Sequence, residues 1–340
     1  MKKIIIISIL LILIVFAILF GNFLLNLDNA KTNKYKIGFV INYIGDKGFA
    51  DMQLEGVKKA SEIYNLKYRL FLTNSYEAIK EGILKAIEEG CNIIICGNGF
   101  LSQRAVMEVA SLYPAVYFIV MDTEFSDYPQ NVATVSFKQN EGSFLVGVLA
   151  AKMTKNRSIG FIGGMNIPVI NDFLVGFKQG IFSIDKNIKI HIKYIDQINI
   201  KNPFEDAESG FKLATELIEQ NKVDIIYAVA GKSNLGIYDA IKNKNIFAIG
   251  VDTDQDYLVK GKILVSMMKN LDTGIIYIIE KIINNNFKNK NYKIGLKENG
   301  VALSQMLFTK ELIGDEILNL IEESKIKIIK EQIIVETSYK

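Results

Sequence analysis

The chain has 340 residues, 49% of them hydrophobic, which is enough for two domains of ordinary size with a substantial core in each. Forty Lys and Arg stand against 37 Asp and Glu, a net charge of +3 with the signs interspersed, which argues against the concentrated basic stripe of a nucleic-acid-binding protein. One His and two Cys leave little from which to build a zinc site or a histidine-dependent triad.

The first element is apolar. Met1-Lys-Lys precedes residues 4–20, in which Ser8 is the only polar residue. Two lysines ahead of such a run match an export signal and the positive-inside rule, so the chain behind it is expected to face outward. Residues 28–30, Asp-Asn-Ala, offer a small residue before a cut but a poor one two positions earlier, and no cysteine lies between 18 and 26 to carry a lipid. Cleaved signal and uncleaved anchor both stay open. The expected location is extracytoplasmic, associated with the cell membrane through residues 1–34.

Beyond a polar linker at 29–34, apolar runs alternate with amphipathic stretches: strand 35–41, helix 49–64, strand 67–73, helix 75–89, strand 93–96, helix 101–113, and strands at 116–121 and 131–137. This is the pattern of a doubly wound parallel sheet, because parallel strands need crossover connections. Cys91 and Cys96, five apart around one strand, point to opposite faces and read as buried structural thiols. After a helix at 140–153 the rhythm repeats with strand 158–162, helix 171–180, strand 189–194, helix 206–221, strand 225–228, helix 235–242 and strand 248–251. His191 falls in one of these strands and reads as a surface or edge residue.

A strand at 262–267 and a helix at 273–284 then cross back, followed by a short strand pair within 292–303. The tail from Thr309 holds one amphipathic helix and a β-prone run at 326–335, with no readable role. The expected fold class is α/β, with two doubly wound lobes around a hinged cleft. Lobe 1 takes 35–153 plus 262–290, lobe 2 takes 154–261 plus 291–305, and 306–340 form a C-terminal extension. Several crossings between lobes make a hinge, and the cleft can close on a small ligand.

In open α/β sheets ligands sit at the carboxyl ends of the strands, so the loops there hold the candidate site. The strand 248–251 empties into a loop with Asp252, Asp254 and Asp256, and aspartates accept hydrogen bonds from sugar hydroxyls. The next strand delivers Lys269. After the first strand come Asn42 and, at the start of a helix, Phe49, either a staple to the core or a platform for a flat ring. Cys96-Gly-Asn98-Gly-Phe100 is by itself a turn. Asp122 ends the strand 116–121, where a cap or turn role is the ordinary one. Gly163 and Gly164 could cradle a phosphate, but neither a Walker lysine nor a dinucleotide fingerprint accompanies them. Phe204 precedes a helix for which Asp206 is a good N-cap, and Gly231 punctuates another strand end. Two aromatics on loops of opposite lobes could sandwich a planar base. No nucleophile has an adjacent base and no metal cluster emerges, so binding without chemistry is favoured.

Asp46-Lys-Gly-Phe49, Asn140-Glu-Gly-Ser-Phe-Leu-Val-Gly147, Ile159-Gly-Phe-Ile-Gly-Gly-Met165, Phe177-Lys-Gln-Gly180, Phe204-Glu-Asp-Ala-Glu-Ser-Gly210, the stretch 231–236 and Ile249-Gly-Val-Asp252-Thr-Asp-Gln255 resemble the motifs of the basic membrane protein family. This family includes the purine nucleoside receptor lipoproteins of spirochaetes and other bacteria. The resemblance runs from about Tyr35 to Ser304. It implies a type I periplasmic-binding-protein fold and an extracytoplasmic substrate-binding protein of an ABC importer, with no enzymatic activity and no cofactor.

In that family a purine base stacks between two phenylalanines, and acidic residues with a lysine hold the ribose and base edge. The resemblance assigns the two rings to Phe49 and Phe204, the ribose carboxylate to Asp252, the lysine to Lys269 and a backbone contact to Gly231. Asn42 and Asp122 complete the expected ligand set. The implied partners are a purine nucleoside (guanosine, adenosine or inosine), ABC permease subunits and the cytoplasmic membrane through the N-terminus. Asn42 stands where the family often has Asp, Ala50 where it commonly has Asn, and the lipidated cysteine is missing. A membrane-anchored small-molecule sensor of the same fold is the alternative, and a nucleoside hydrolase is disfavoured because the aspartates are not clustered as a metal site.

Overall fold

A computed structural model describes residues 34–46, 48–73 and 75–339. The apolar run at 4–20 and the candidate cut at 28–30 lie outside them. The first lobe opens with β1 (Lys36–Ile41), α1 (Phe49–Ile63), β2 (Lys67–Leu72), α2 (Tyr76–Glu88), β3 (Ile93–Cys96), α3 (Gln103–Ala110), β4 (Tyr117–Met121) and β5 (Val132–Phe137). Then come α4 (Gln139–Met153), β6 (Ser158–Gly163), α5 (Pro168–Ile184), β7 (Lys189–Tyr194), α6 (Ala207–Asn221), β8 (Ile225–Val229), α7 (Asn234–Ile241), β9 (Phe247–Asp252) and β10 (Ile263–Lys269). The chain finishes with α8 (Leu271–Ile283), β11 (Asn291–Ile294), β12 (Val301–Leu303), α9 (Lys310–Ile313) and α10 (Asp315–Ile329).

Two six-stranded sheets result, ordered β2-β1-β3-β4-β5-β11 and β7-β6-β8-β9-β10-β12. All pairings are parallel except β10 with β12. Central strands such as IIIC in β3 and IIYAV in β8 are buried throughout, as expected where helices cover both faces of a parallel sheet. Helix starts follow local chemistry. The Ser75 hydroxyl accepts from the Ala78 N–H, the Asp206 carboxylate accepts from the Ser209 N–H, and Pro168 sets the first turn of α5, which therefore begins three residues before the expected 171.

Three expectations about connectivity are corrected. β10 pairs with β9 in the second sheet, so 263–269 belong to the second lobe and the crossing follows Lys269. β11 pairs with β5 in the first sheet while β12 pairs with β10 in the second, so the strands within 292–303 are not a pair but the two sides of a crossing. Helix α4 packs on α5, β10 and α10, which moves the first crossing from 153 back to Lys138. In each case a uniformly apolar segment could satisfy either sheet, and periodicity cannot say which. The run 326–335 is also not a strand. Ile321, Ser324 and Ile328 continue a helical spacing on the buried face of α10, and 330–339 follow without helix or strand.

Helices α4 and α5 approach closely through glycines. A Cβ at Gly180 would stand 2.1 Å from Phe144 O, one at Gly176 2.1 Å from Asn140 O, and one at Gly147 2.4 Å from Phe177 O. Cys91 and Cys96 are free and buried, and among the described residues no helix is long and apolar enough to cross a membrane.

Candidate functional site

The carboxyl ends of both sheets face one cavity of about 600 Å³. Asn42, Phe49 and Asp122 reach it from the first lobe, and Phe204, Gly231, Asp252 and Lys269 from the second. The structure therefore brings all seven sequence-selected residues to a single place.

Phe49 is the first residue of α1, whose N-terminus is fixed by Asp46. That carboxylate accepts from the N–H groups of Gly48, Ala50 and Asp51 at 3.0, 2.9 and 3.1 Å. Half-buried Phe49 packs on the core and lines the cavity as well, so staple and platform are combined in one ring. Phe204 is seated by glycine. A Cβ at Gly164 would lie 2.2 Å from the Phe204 Cε1, and Gly231, at φ +57°, lets the backbone pass beside the Phe204 carbonyl. Gly164 thus seats the Phe204 ring and Gly163 makes room for Tyr194 and Ile170, which explains the two glycines without any phosphate.

Asp122, just past β4, and Asp252, the last residue of β9, both have positive φ, 59° and 66°, so the extended backbone stops at each carboxylate. Asp122 is paired: Lys269 Nζ donates to its two carboxylate oxygens at 2.9 and 3.0 Å, and this pair joins the lobes. The Lys269 side chain is 3% exposed, and its ammonium also lies 5.0 Å from the Phe173 ring centroid. Burial pushes Asp252 up to about 6 from its ordinary 3.8. The Lys269 charge opposes that shift, and Asp122 and Asp46 reinforce it.

Asn42 is oriented by its neighbours, its N–H donating to Asn98 Oδ1 at 2.8 Å and its Oδ1 accepting from the Thr73 hydroxyl at 2.9 Å. Asn98 lines the cavity, and its Nδ2 has no hydrogen-bond partner among the described residues. In the sequence Asn98 shows only as part of a turn. Asp46, Phe173, Tyr238 and Gln255, none of them among the seven, line the same cavity. Of these, only Asp46 and Gln255 carried a signal, by standing inside recognisable motifs. Asp256 is a buried tie, accepting from Ser266 and Ser304 hydroxyls at 2.8 and 2.7 Å, while Ser266 Oγ accepts from the Gln255 N–H at 3.0 Å. At the mouth, Lys232 of the second lobe lies 5.0 Å above the Tyr43 ring of the first. Among the described residues no group of His, Cys, Asp and Glu is arranged to hold a metal.

Two α/β lobes with a ligand-sized cavity lined from both define a solute-binding protein of type I periplasmic-binding fold. The family described as "ABC transporter substrate-binding protein PnrA-like" matches residues 34–338, and the chain belongs to that family, whose members bind substrates for transporters and are not enzymes. The match extends past Ser304 through the tail. Basic membrane protein A of Borreliella burgdorferi is 31% identical over 311 residues, covering 88% of this chain and 87% of its own. The ABC transporter nucleoside-binding protein BmpA of Lactococcus lactis subsp. cremoris is 31% identical over 286 residues, covering 75% and 79%. The crystal structure of an ABC transporter solute-binding protein from Aeropyrum pernix K1 superposes with a TM-score of 0.75 at 24% identity, over 90% of this chain and 94% of that one.

Proposed function

We propose that the protein binds a purine nucleoside in the interlobe cleft, outside the cytoplasmic membrane, and passes it to the permease of an ABC importer. The observation that carries this reading is the presence of Phe49 and Phe204, from different lobes, in one cavity with Asp252. The two rings hold the base as the lobes close, each aromatic face contributing about 1–3 kcal/mol. Asp252 accepts from ribose hydroxyls, and Lys269, held by Asp122, supplies a fixed positive charge beside it. The nucleoside-binding relative in Lactococcus supports the same ligand class. Residues 1–34 bring the chain to the outer side of the membrane, as signal or as anchor, on the strength of Lys2, Lys3 and the apolar run 4–20.

Isothermal titration of the protein from Asn33 onward with guanosine, adenosine, inosine, uridine and ribose tests the reading. Micromolar or tighter binding of a purine nucleoside, with ribose and uridine much weaker, is expected. Binding of none of them tighter than millimolar ends it.

A further inference from the structure

Segment 330–339 has no regular structure, yet side chains hold it along most of its length. Gln179 of α5 brackets it, Nε2 donating to Ile334 O at 2.9 Å and Oε1 accepting from the Glu336 N–H at 2.8 Å. Asn140 of α4 donates to Val335 O and Glu336 O at 3.2 and 2.9 Å. Asp172, 0% exposed, accepts through Oδ1 from the Thr337 hydroxyl at 2.6 Å and the Ser338 N–H at 2.9 Å, and Ser338 Oγ donates to Pro168 O at 2.6 Å. A carboxylate buried this deeply must be hydrogen-bonded, and the bonds to its Oδ1 come from this segment.

All of these anchors belong to α4 and α5 in the second lobe. The segment then reaches the first. The Tyr339 ring lies 4.8 Å from Lys293 Nζ on β11, and Lys293 is ion-paired at 2.7 Å to Glu124, two residues past Asp122. From the other side, Phe173, next to Asp172 in sequence, packs its ring 5.0 Å from Lys269 Nζ. Lys293 lies on β11, which leads into the crossing at 295–300, and Gln139 immediately follows the crossing at Lys138. Burial, followed by the charges of Asp122, Asp172 and Glu124, raises the Tyr339 hydroxyl above its ordinary value, so it stays neutral behind the Asp122–Lys269 pair.

We propose that segment 330–339 is a strap forming a fourth, non-covalent crossing between the lobes, and that Tyr339 is a positioning residue for the Asp122–Lys269 pair of the cleft. Three covalent crossings allow the lobes to rotate. The contact of Tyr339 with Lys293 must slide or break when they part, so it favours the arrangement in which the cleft residues converge. Ligand affinity scales with the fraction of molecules in that arrangement, so loss of the strap lowers affinity without removing a ligand contact.

The strap rests on the nucleoside reading only for its choice of probe. Spin labels at Lys58→Cys on α1 and Lys212→Cys on α6 report lobe separation without ligand in the parent, in a chain ending at Gln332, and in Tyr339→Ala and Tyr339→Phe. The shortened chain and Tyr339→Ala are expected to shift to longer separations, while Tyr339→Phe, which keeps its ring beneath Lys293, matches the parent. With guanosine and inosine as probes, the same two variants are expected to bind about tenfold more weakly, and a peptide of residues 330–340 restores part of the loss to the shortened chain. Separations unchanged or shorter in Tyr339→Ala overturn the strap, and that variant decides the matter if the shortened chain fails to fold. If the parent binds neither probe, the nucleoside reading fails alone and the distances still decide the strap.

Discussion

Asp252 carries the sharpest consequence of a single residue's surroundings. Its folded-state value of about 6 lies above the ordinary 3.8, because burial disfavours the charged form more than Lys269 restores it. Between those two values the folded chain holds a proton that the unfolded chain has released, so stability falls as pH rises through the window from about 4 to about 6. The shift corresponds to about 1–2 kcal/mol once water entering the cleft is allowed for. Asp252→Asn is therefore expected to be more stable than the parent at pH 7 and equal to it near pH 4, while binding a nucleoside at least tenfold more weakly. In the parent, nucleoside affinity should weaken as pH falls below about 6, when the protonated carboxyl loses one acceptor oxygen and its charge-assisted bonds to the hydroxyls. Thermal unfolding and titration at pH 4, 5, 6 and 7 read both effects, and a variant that binds like the parent with an unchanged stability profile would remove Asp252 from the site. That a carboxylate belonged here was legible, because an apolar run ending in Asp points to a strand's carboxyl end. Its neighbour Asp256 was equally acidic in sequence but read as a loop residue outside the ligand set that the resemblance assigns, and Ser266 of β10 and Ser304, just past β12, show it to be a buried structural tie.

At the scale of elements, glycine spacing was visible before its meaning was. The stretches 140–147 and 177–180 stood out as family-like, but a glycine on a helix reports a close neighbour without naming it. The neighbour is the other helix. Gly180 of α5 stands against the Phe144 carbonyl of α4, where a Cβ would sit 2.1 Å from the oxygen. The two helices carry Asn140, Phe173 and Asp172, and so position both the wall of the cleft and the strap. Gly180→Ala is expected to force them apart, at about 1–3 kcal/mol for an overpacked interface, or more because the obstacle is backbone. A lowered urea midpoint with unchanged far-UV dichroism checks this, and a stability equal to the parent's would mean that the helices part freely. The tail failed as a reading for the opposite reason. Its isoleucines at 326, 328 and 329 are β-prone one by one, but Ile321, Ser324 and Ile328 already lie on the buried face of α10, and packing overrode propensity.

For the whole molecule, the alternation of elements gave two α/β lobes directly, whereas the assignment of β10, β11 and α4 to lobes did not follow from it. An apolar strand of seven residues fits the centre of either sheet, and only hydrogen-bonded registers distinguish them. The corrected topology changes what Lys269 does. Placed at the end of β10 in the second lobe, it reaches across to Asp122 of the first, so the ion pair spans the hinge and is almost wholly removed from water. Breaking such a pair leaves a buried charge alone, typically at a cost of about 3–5 kcal/mol, whereas removing both charges is far milder. Lys269→Met leaves Asp122 unpaired near Asp252, and the strain is relieved most simply by parting the lobes. Lys269→Met is therefore expected to lower stability by about 3 kcal/mol and to abolish measurable nucleoside binding. Asp122→Asn combined with Lys269→Met should recover most of the stability but not the binding, because the second lobe still lacks its cation. Chemical denaturation of the four chains in a double-mutant cycle isolates the coupling. Strictly additive losses would mean that the two charges do not hold the lobes together, and the closing of the cleft would then have to rest on the aromatic rings and the strap alone.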